Sequence, residues 1–365
     1  MWWELSKKHF AEEAWSAHTD IYMNIFLSAI ILFALPTLAS AHTRWFMAEE
    51  VPVYTISEPT EIYLLIIAAL VLVTTLAAIW LHQTKHCSLR FLKPKQSHAY
   101  ERAASTFTMV IGSFLLIAGT HEYLFSPNLS HASGVPSYLI IIQIVVGVAF
   151  LVGVLTRLSA CLLILVWLWA VYSAGWLAML ENIWVLSTAA FIMIMGNDYF
   201  SPISFSFLRN RIKKYQTSAL SILRIGTGAT FVILGLSEKI LAPEYGLYFL
   251  SQYHWNFMQA FGFNYSNYLF TLSAGSVEIL IGLIFILGVV TRLNAMIAIA
   301  VFTIPLFILG PIELAGHLPH FAAMFLMLFF GNDGHFSRVS QRHDKKKWGN
   351  WGNWDKSNKN LKLVL

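Results

Sequence analysis

Val152-Gly153-Val154-Leu155-Thr156-Arg157-Leu158-Ser159-Ala160 is read a second time, 135 residues later, as Leu287-Gly288-Val289-Val290-Thr291-Arg292-Leu293-Asn294-Ala295. Self-similarity at a fixed spacing marks an internal repeat. The same spacing carries Gly196-Asn197-Asp198 onto Gly331-Asn332-Asp333, and Gly147 onto Gly282. Upstream the spacing is 116, taking Ser105 to Ser221, Gly112 to Gly228, Gly119 to Gly235 and Glu122 to Glu238. The difference is a 19-residue insertion in the second copy, roughly Tyr245 to Phe263.

The medium in which these copies fold follows from composition. Of 365 residues, 57% are apolar and 12% charged, and the mean hydropathy is +0.62. A soluble domain carries about 25% charged residues, so a soluble enzyme, a nucleic-acid binder and a disordered chain are all excluded. Two cysteines exclude a disulfide-stapled ectodomain. Apolar runs fall near 22–41, 61–82, 106–125, 138–155, 158–176, 183–196, 220–241, 268–290, 294–313 and 318–331. They are continuous rather than alternating, which argues for helices and against a β-barrel. The expected fold is all-α: a polytopic membrane protein with nine or ten transmembrane helices, as two parallel four-helix bundles plus an N-terminal helix pair. The expected divisions are 1–101, with an anchor or signal helix at 22–41 and a transmembrane helix at 61–82; 102–204, the first repeat, read as a degenerate structural copy; 205–338, the second; and 339–365, a basic tail rich in Trp, Asn and Gly.

Basic residues orient such a chain. Lys85 to Arg102, Arg157, Arg209 to Lys214, Arg292 and Arg338 to Lys347 all fall at one end if every run spans. Glu58, Glu122, Glu181, Glu238 and Glu244 collect at the other. The basic end, tail included, is therefore expected in the cytoplasm of a bacterial inner membrane. The pI of about 9.1 then reports topology and gives no reason to expect nucleic acid. The first run closes on Ala39-Ser40-Ala41, a cleavage pattern that would leave His42, a potential copper ligand, at the N-terminus. An uncleaved anchor helix reads equally well.

Four spans per copy make the repeats parallel, related by an axis along the membrane normal, so the logic of inverted-repeat transporters does not apply. Where the copies differ, the difference has a direction. Arg224, Lys239, Glu278 and His317 stand against Thr108, Tyr123, Gln143 and Asn182. Ionisable groups in a span are costly and usually mark function. The working site is thus expected in the second bundle, with Glu238, Glu278, His317 and Lys239 as catalytic candidates. The bland alternative is an ion-pair network that locks the helices. Arg224 reads as a packing or headgroup residue. Arg292 is either a cofactor contact or a basic anchor in a tight turn. His317 and His320, three apart on one face, admit a metal pair, but no further ligand joins them at suitable spacing and no metal is assigned. In the insertion, Trp255 and Phe257 either cover a flat ligand such as a quinone ring or belong to an interfacial aromatic belt. Cys87 and Cys161 form no C-x-x-C, which excludes thiol–disulfide chemistry.

Leu223-Arg224-Ile225-Gly226, Gly235-Leu236-Ser237-Glu238-Lys239 and Glu278 through Thr291-Arg292-Leu293 resemble the DoxX/DoxD family. The resemblance covers roughly 219–336 well and 103–204 weakly. It implies a four-helix membrane bundle and a link to membrane redox chemistry, as in the DoxD subunit of thiosulfate:quinone oxidoreductase. The expected function is a redox-associated membrane subunit that binds quinone or a quinone-like lipid and meets a membrane or peripheral redox partner. A scaffold or assembly factor is the alternative, and a small-solute or metal transporter a third.

Overall fold

In the computed structural model, residues 52–331 are described, apart from 57, 85–88, 93, 95–97, 198, 200–211 and 213–214. The proposed leader at 22–41, His42, Cys87 and the tail at 339–365 lie outside the described residues. Those that are described form an all-α polytopic membrane protein with no β-strand. Backbone polar groups have no water to bond in a bilayer, so helices that satisfy their own are the natural product of long apolar runs.

The helix preceding the repeats is α1, Thr60–Thr84. The first copy contains α2 (Ala99–Thr120), α3 (Ser137–Val152), α4 (Thr156–Ala174), the short α5 (Trp176–Glu181) and α6 (Trp184–Met195). In the second copy α7 (Gln216–Gly235) runs on into a π-helical segment, Leu236–Ile240. The insertion forms two short helices, α8 (Pro243–Tyr253) and α9 (Phe257–Ala260). They are followed by α10 (Asn267–Leu287), α11 (Thr291–Thr303), α12 (Leu306–Leu309) and α13 (Pro311–Phe330). Pro305 divides the third span of this copy between α11 and α12. A proline there removes a backbone donor and crowds the preceding turn.

Within each copy the first helix packs on the second and the third on the fourth: α2 on α3 and α4 on α6, then α7 on α10 and α11 on α13. No hydrophobic force drives helices together inside lipid, so close approach of small residues decides these pairings. A methyl group added at Gly112 would stand 2.7 Å from the Gly147 carbonyl oxygen, and one at Gly282 would stand 2.5 Å from that of Gly228. These aligned glycine pairs are the crossing points of the two copies. The connection between second and third helices is equally alike. Gly153 and Gly288 take left-handed φ of 76° and 70°, and two residues later Leu155 and Val290 do so as well, at 52° and 39°. This conformation suits glycine and costs a side chain free energy, most of all β-branched Val290.

The copies are joined by exchange. α6 packs on α7 more extensively than on α2, and α13 packs on α2 more extensively than on α7. Each fourth helix thus packs more on the first helix of the other copy than on that of its own. Between the copies Tyr100 meets Phe330 and Trp184 meets His320, at 5.1 and 5.8 Å between ring centroids, and a single core cluster runs through both copies. α1 lies outside this body against α10 with most of its surface exposed, as a lipid-facing helix should be. Glu58 accepts a hydrogen bond from Ser266 at one end of it, and His82 accepts one from the Val290 amide at the other.

Candidate functional site

The exchanged helices leave a cavity between the copies at the acidic end. Phe114 on α2, Phe125, Ser126 and Asn128 in the following turn, Glu181, Asn182 and Trp184 around the break between α5 and α6, Leu234 and Glu238, and Gly316 and His320 on α13 line it. Its volume is about 30 Å³, room for about two water molecules. Glu238 is 2% exposed, Glu181 5%, and His317 and His320 4% each. The two buried carboxylates come from different copies.

Glu181 is held by a chain of neutral groups. Asn128 donates to it at 3.5 Å, Ser126 donates to Asn128 at 2.5 Å, and Asn182 donates to Ser126 at 3.1 Å. Asn182 is itself fixed by the Ala178 carbonyl at 3.0 Å, and its own carbonyl accepts from the Trp167 indole at 3.1 Å. His320 is enclosed by aromatic rings, with Trp184 5.8 Å and Phe231 5.4 Å away between centroids. His317 stands behind it, 6.2 Å from His320 and 5.2 Å from Phe302. Among the described residues no three His, Cys, Asp or Glu side chains are grouped to hold a metal ion.

The four catalytic candidates therefore divide between two places. Glu238 faces the cavity, with His317 in the layer behind. Lys239 and Glu278 face each other on the other side of the π segment, where the Lys239 Nζ lies 2.9 Å from both Glu278 carboxylate oxygens, each side chain 16% exposed. Neither lines the cavity. Adjacent residues on one helix point about 100° apart, so Glu238 and Lys239 serve different neighbours. The two aromatic candidates lie elsewhere again. Trp255 and the exposed Phe257 surround Phe270 at 6.4 and 5.0 Å, near the start of α10, and do not line the cavity.

Arg292 sits at the opposite, basic end. It is 2% exposed and donates to the carbonyls of Leu89 and Phe329, each at 3.3 Å. Its counterpart Arg157 donates to Met195 at 3.0 Å. Both guanidinium groups thus reach the last carbonyls of a fourth helix, where a cation also meets the negative end of the helix dipole. Arg224, placed by sequence among packing or headgroup residues, is buried and clamps α10 in the same way through the carbonyls of Phe285 and Ile286.

The first copy contributes to the cavity as well, since Glu181 and its supporting amides belong to it. Sequence reasoning placed Glu181 merely on the acidic rim. A signal existed: at the repeat spacing Glu181 aligns with Gly316, across the same cavity. Arg224, Lys239, Glu278 and His317 are charges that the first copy lacks, whereas Glu181 is one that the second lacks.

The DoxX family model matches two segments of the chain, residues 103–176 and 219–311, one in each copy. No curated protein and no solved structure matches it.

Proposed function

Because the chain is a DoxX-like membrane protein in two tandem copies, we propose that the cavity between them is its working site, and that the site takes up and releases protons in support of membrane redox chemistry. What supports this reading is the meeting of two buried carboxylates, one from each copy, at a space the size of two waters. Ionisable side chains inside a membrane are rare, face protein or water, and recur in proton relays. A hydrated carboxyl group changes protonation without leaving a bare charge in lipid, and an imidazole beside it accepts or donates in turn. Asn128, Ser126 and Asn182 hold Glu181 in place, so Glu238 and His320 are the groups across which a proton moves to or from the cavity water.

A quinone would supply the electron chemistry. A space of about 30 Å³ does not admit its ring, and the proton path runs through the chain's own residues. In the same reading the basic end and the tail face the cytoplasm of a bacterial inner membrane, following the distribution of Lys and Arg. The redox partner, a membrane or peripheral protein, supplies the electrons. A second reading, a non-enzymatic scaffold, is favoured by the clamps made by Arg292, Arg224 and the Lys239–Glu278 pair, each of which ties helices together.

Infrared difference spectra of the protein in lipid nanodiscs, recorded across a pH jump, test the proposal. Glu238→Gln and Glu181→Gln are each expected to remove one carboxyl band and to lower quinol-linked turnover of the host membranes by roughly tenfold or more. Spectra and turnover unchanged in both variants would refute it.

A further inference from the structure

Glu238 owes its position to a local departure from the α-helix. α7 does not end at Gly235 but widens into a π turn, in which the Leu241 amide donates to the Leu236 carbonyl five residues back at 2.8 Å. Such turns cost hydrogen-bond geometry and persist where the surroundings hold them, often beside functional groups. Here the surroundings are α10. A methyl group added at Gly275 would stand 2.7 Å from the Lys239 Cβ and 3.0 Å from the Gly235 carbonyl oxygen, so the π segment lies directly on that helix. From this face Lys239 reaches Glu278 with both carboxylate oxygens at 2.9 Å. From the adjoining face Glu238 enters the cavity.

The first copy shows what the position of Glu278 is for. Its counterpart Gln143 is fully buried, donates to the carbonyls of Leu115 and Tyr123 at 3.1 and 3.2 Å, and accepts from the Phe125 amide at 3.0 Å. It thereby fastens the exit of α2 to α3. Glu278 fastens the exit of α7 to α10 at the same place, through a side chain instead of the backbone. The consequences for the aligned carboxylates are opposite. With the neutral clamp the chain leaves the helix, and Glu122 takes a φ of 62° and is exposed; with the ionic clamp the helix continues and Glu238 is buried.

We propose that Lys239 and Glu278 are positioning residues: their ion pair holds the π turn on α10 in the one register that delivers the Glu238 carboxyl into the cavity between the copies. The proposal rests on the proton-handling reading of that cavity. It removes both residues from direct chemistry.

The test uses the full chain in nanodiscs and the carboxyl band that Glu238→Gln identifies. The apolar pair Lys239→Met with Glu278→Leu keeps volume and packing. It is expected to unfold within a few degrees of wild type, yet to displace the Glu238 band and move its titration midpoint by about one pH unit, a tenfold change in proton affinity. Lys239→Arg, which retains the ionic partner, is expected to leave both in place. A folded apolar pair with the band and midpoint of wild type overturns the proposal. If the apolar pair does not fold, Glu278→Gln reads the same band, and an unchanged midpoint there overturns the ionic requirement. A Glu238→Gln spectrum identical to wild type is a different failure, because it removes the proton site itself and the positioning role with it.

Discussion

Replacing Gly282 with alanine sets two effects of opposite sign against each other. Alanine is favoured over glycine inside a helix by about 1 kcal/mol, so on propensity alone α10 gains stability. The crossing with α7 says the reverse. The added methyl would lie 2.5 Å from the Gly228 carbonyl oxygen, 2.9 Å from the Val232 amide nitrogen and 2.8 Å from the Val232 Cγ2. Two of the three are backbone atoms, so no rotamer change relieves the contact, and the helices must part by about 1 Å to restore ordinary separations of about 3.5 Å. Overpacking of this kind costs about 1–3 kcal/mol, and its backbone character puts Gly282 near the upper end. The net expectation is a loss of about 2 kcal/mol, roughly a thirtyfold fall in the ratio of folded to unfolded protein. Reversible unfolding in mixed detergent micelles, with SDS as denaturant, measures it. A variant as stable as wild type, or more so, would refute the view that the glycine pairs are backbone-to-backbone crossings.

Two further outcomes separate the two readings of Arg292 and of Trp255. Arg292→Met should cost about 1.5–3 kcal/mol, the range for hydrogen bonds to a charged group, by releasing the end of α13; the same titration reads it, and a stable variant with impaired quinol-linked turnover would return Arg292 to the site. If Trp255 belongs to an interfacial belt, its fluorescence in proteoliposomes should be quenched most by lipids brominated near the headgroup, and quenching that is greatest for tail-end bromines would contradict this.

The repeat, and with it the order of the helices, is legible in sequence because it is carried by backbone requirements. Gly153 and Gly288 are needed for positive φ and Gly112 and Gly228 for close approach, and such positions admit few substitutes. The site is less legible, and for a physical reason. Unmatched charges reveal that something differs between the copies, but not which way a side chain faces. Glu238 and Lys239 are neighbours in the chain, yet consecutive residues of a helical turn point to different sides, one to the cavity and the other to α10. The cavity itself could not be read from one bundle, since it exists only where α6 meets α7 and α13 meets α2. Searching within the second copy finds Glu238 and His317 but leaves out Glu181, which stands opposite.

That exchange of partners has a consequence in time. Transmembrane helices enter the bilayer in the order of synthesis, and contacts between distant segments wait until both are present. α2 ends at Thr120, whereas α13, against which it packs, begins at Pro311, so the first helix of the first copy stands without its neighbour for about 190 residues of synthesis. Glu238 waits for the same helix, over about 70 residues, since Gly316 and His320 arrive on α13. The carboxylates are therefore enclosed in a single late step. A chain truncated before α13 would hold both acids and no closed site between them.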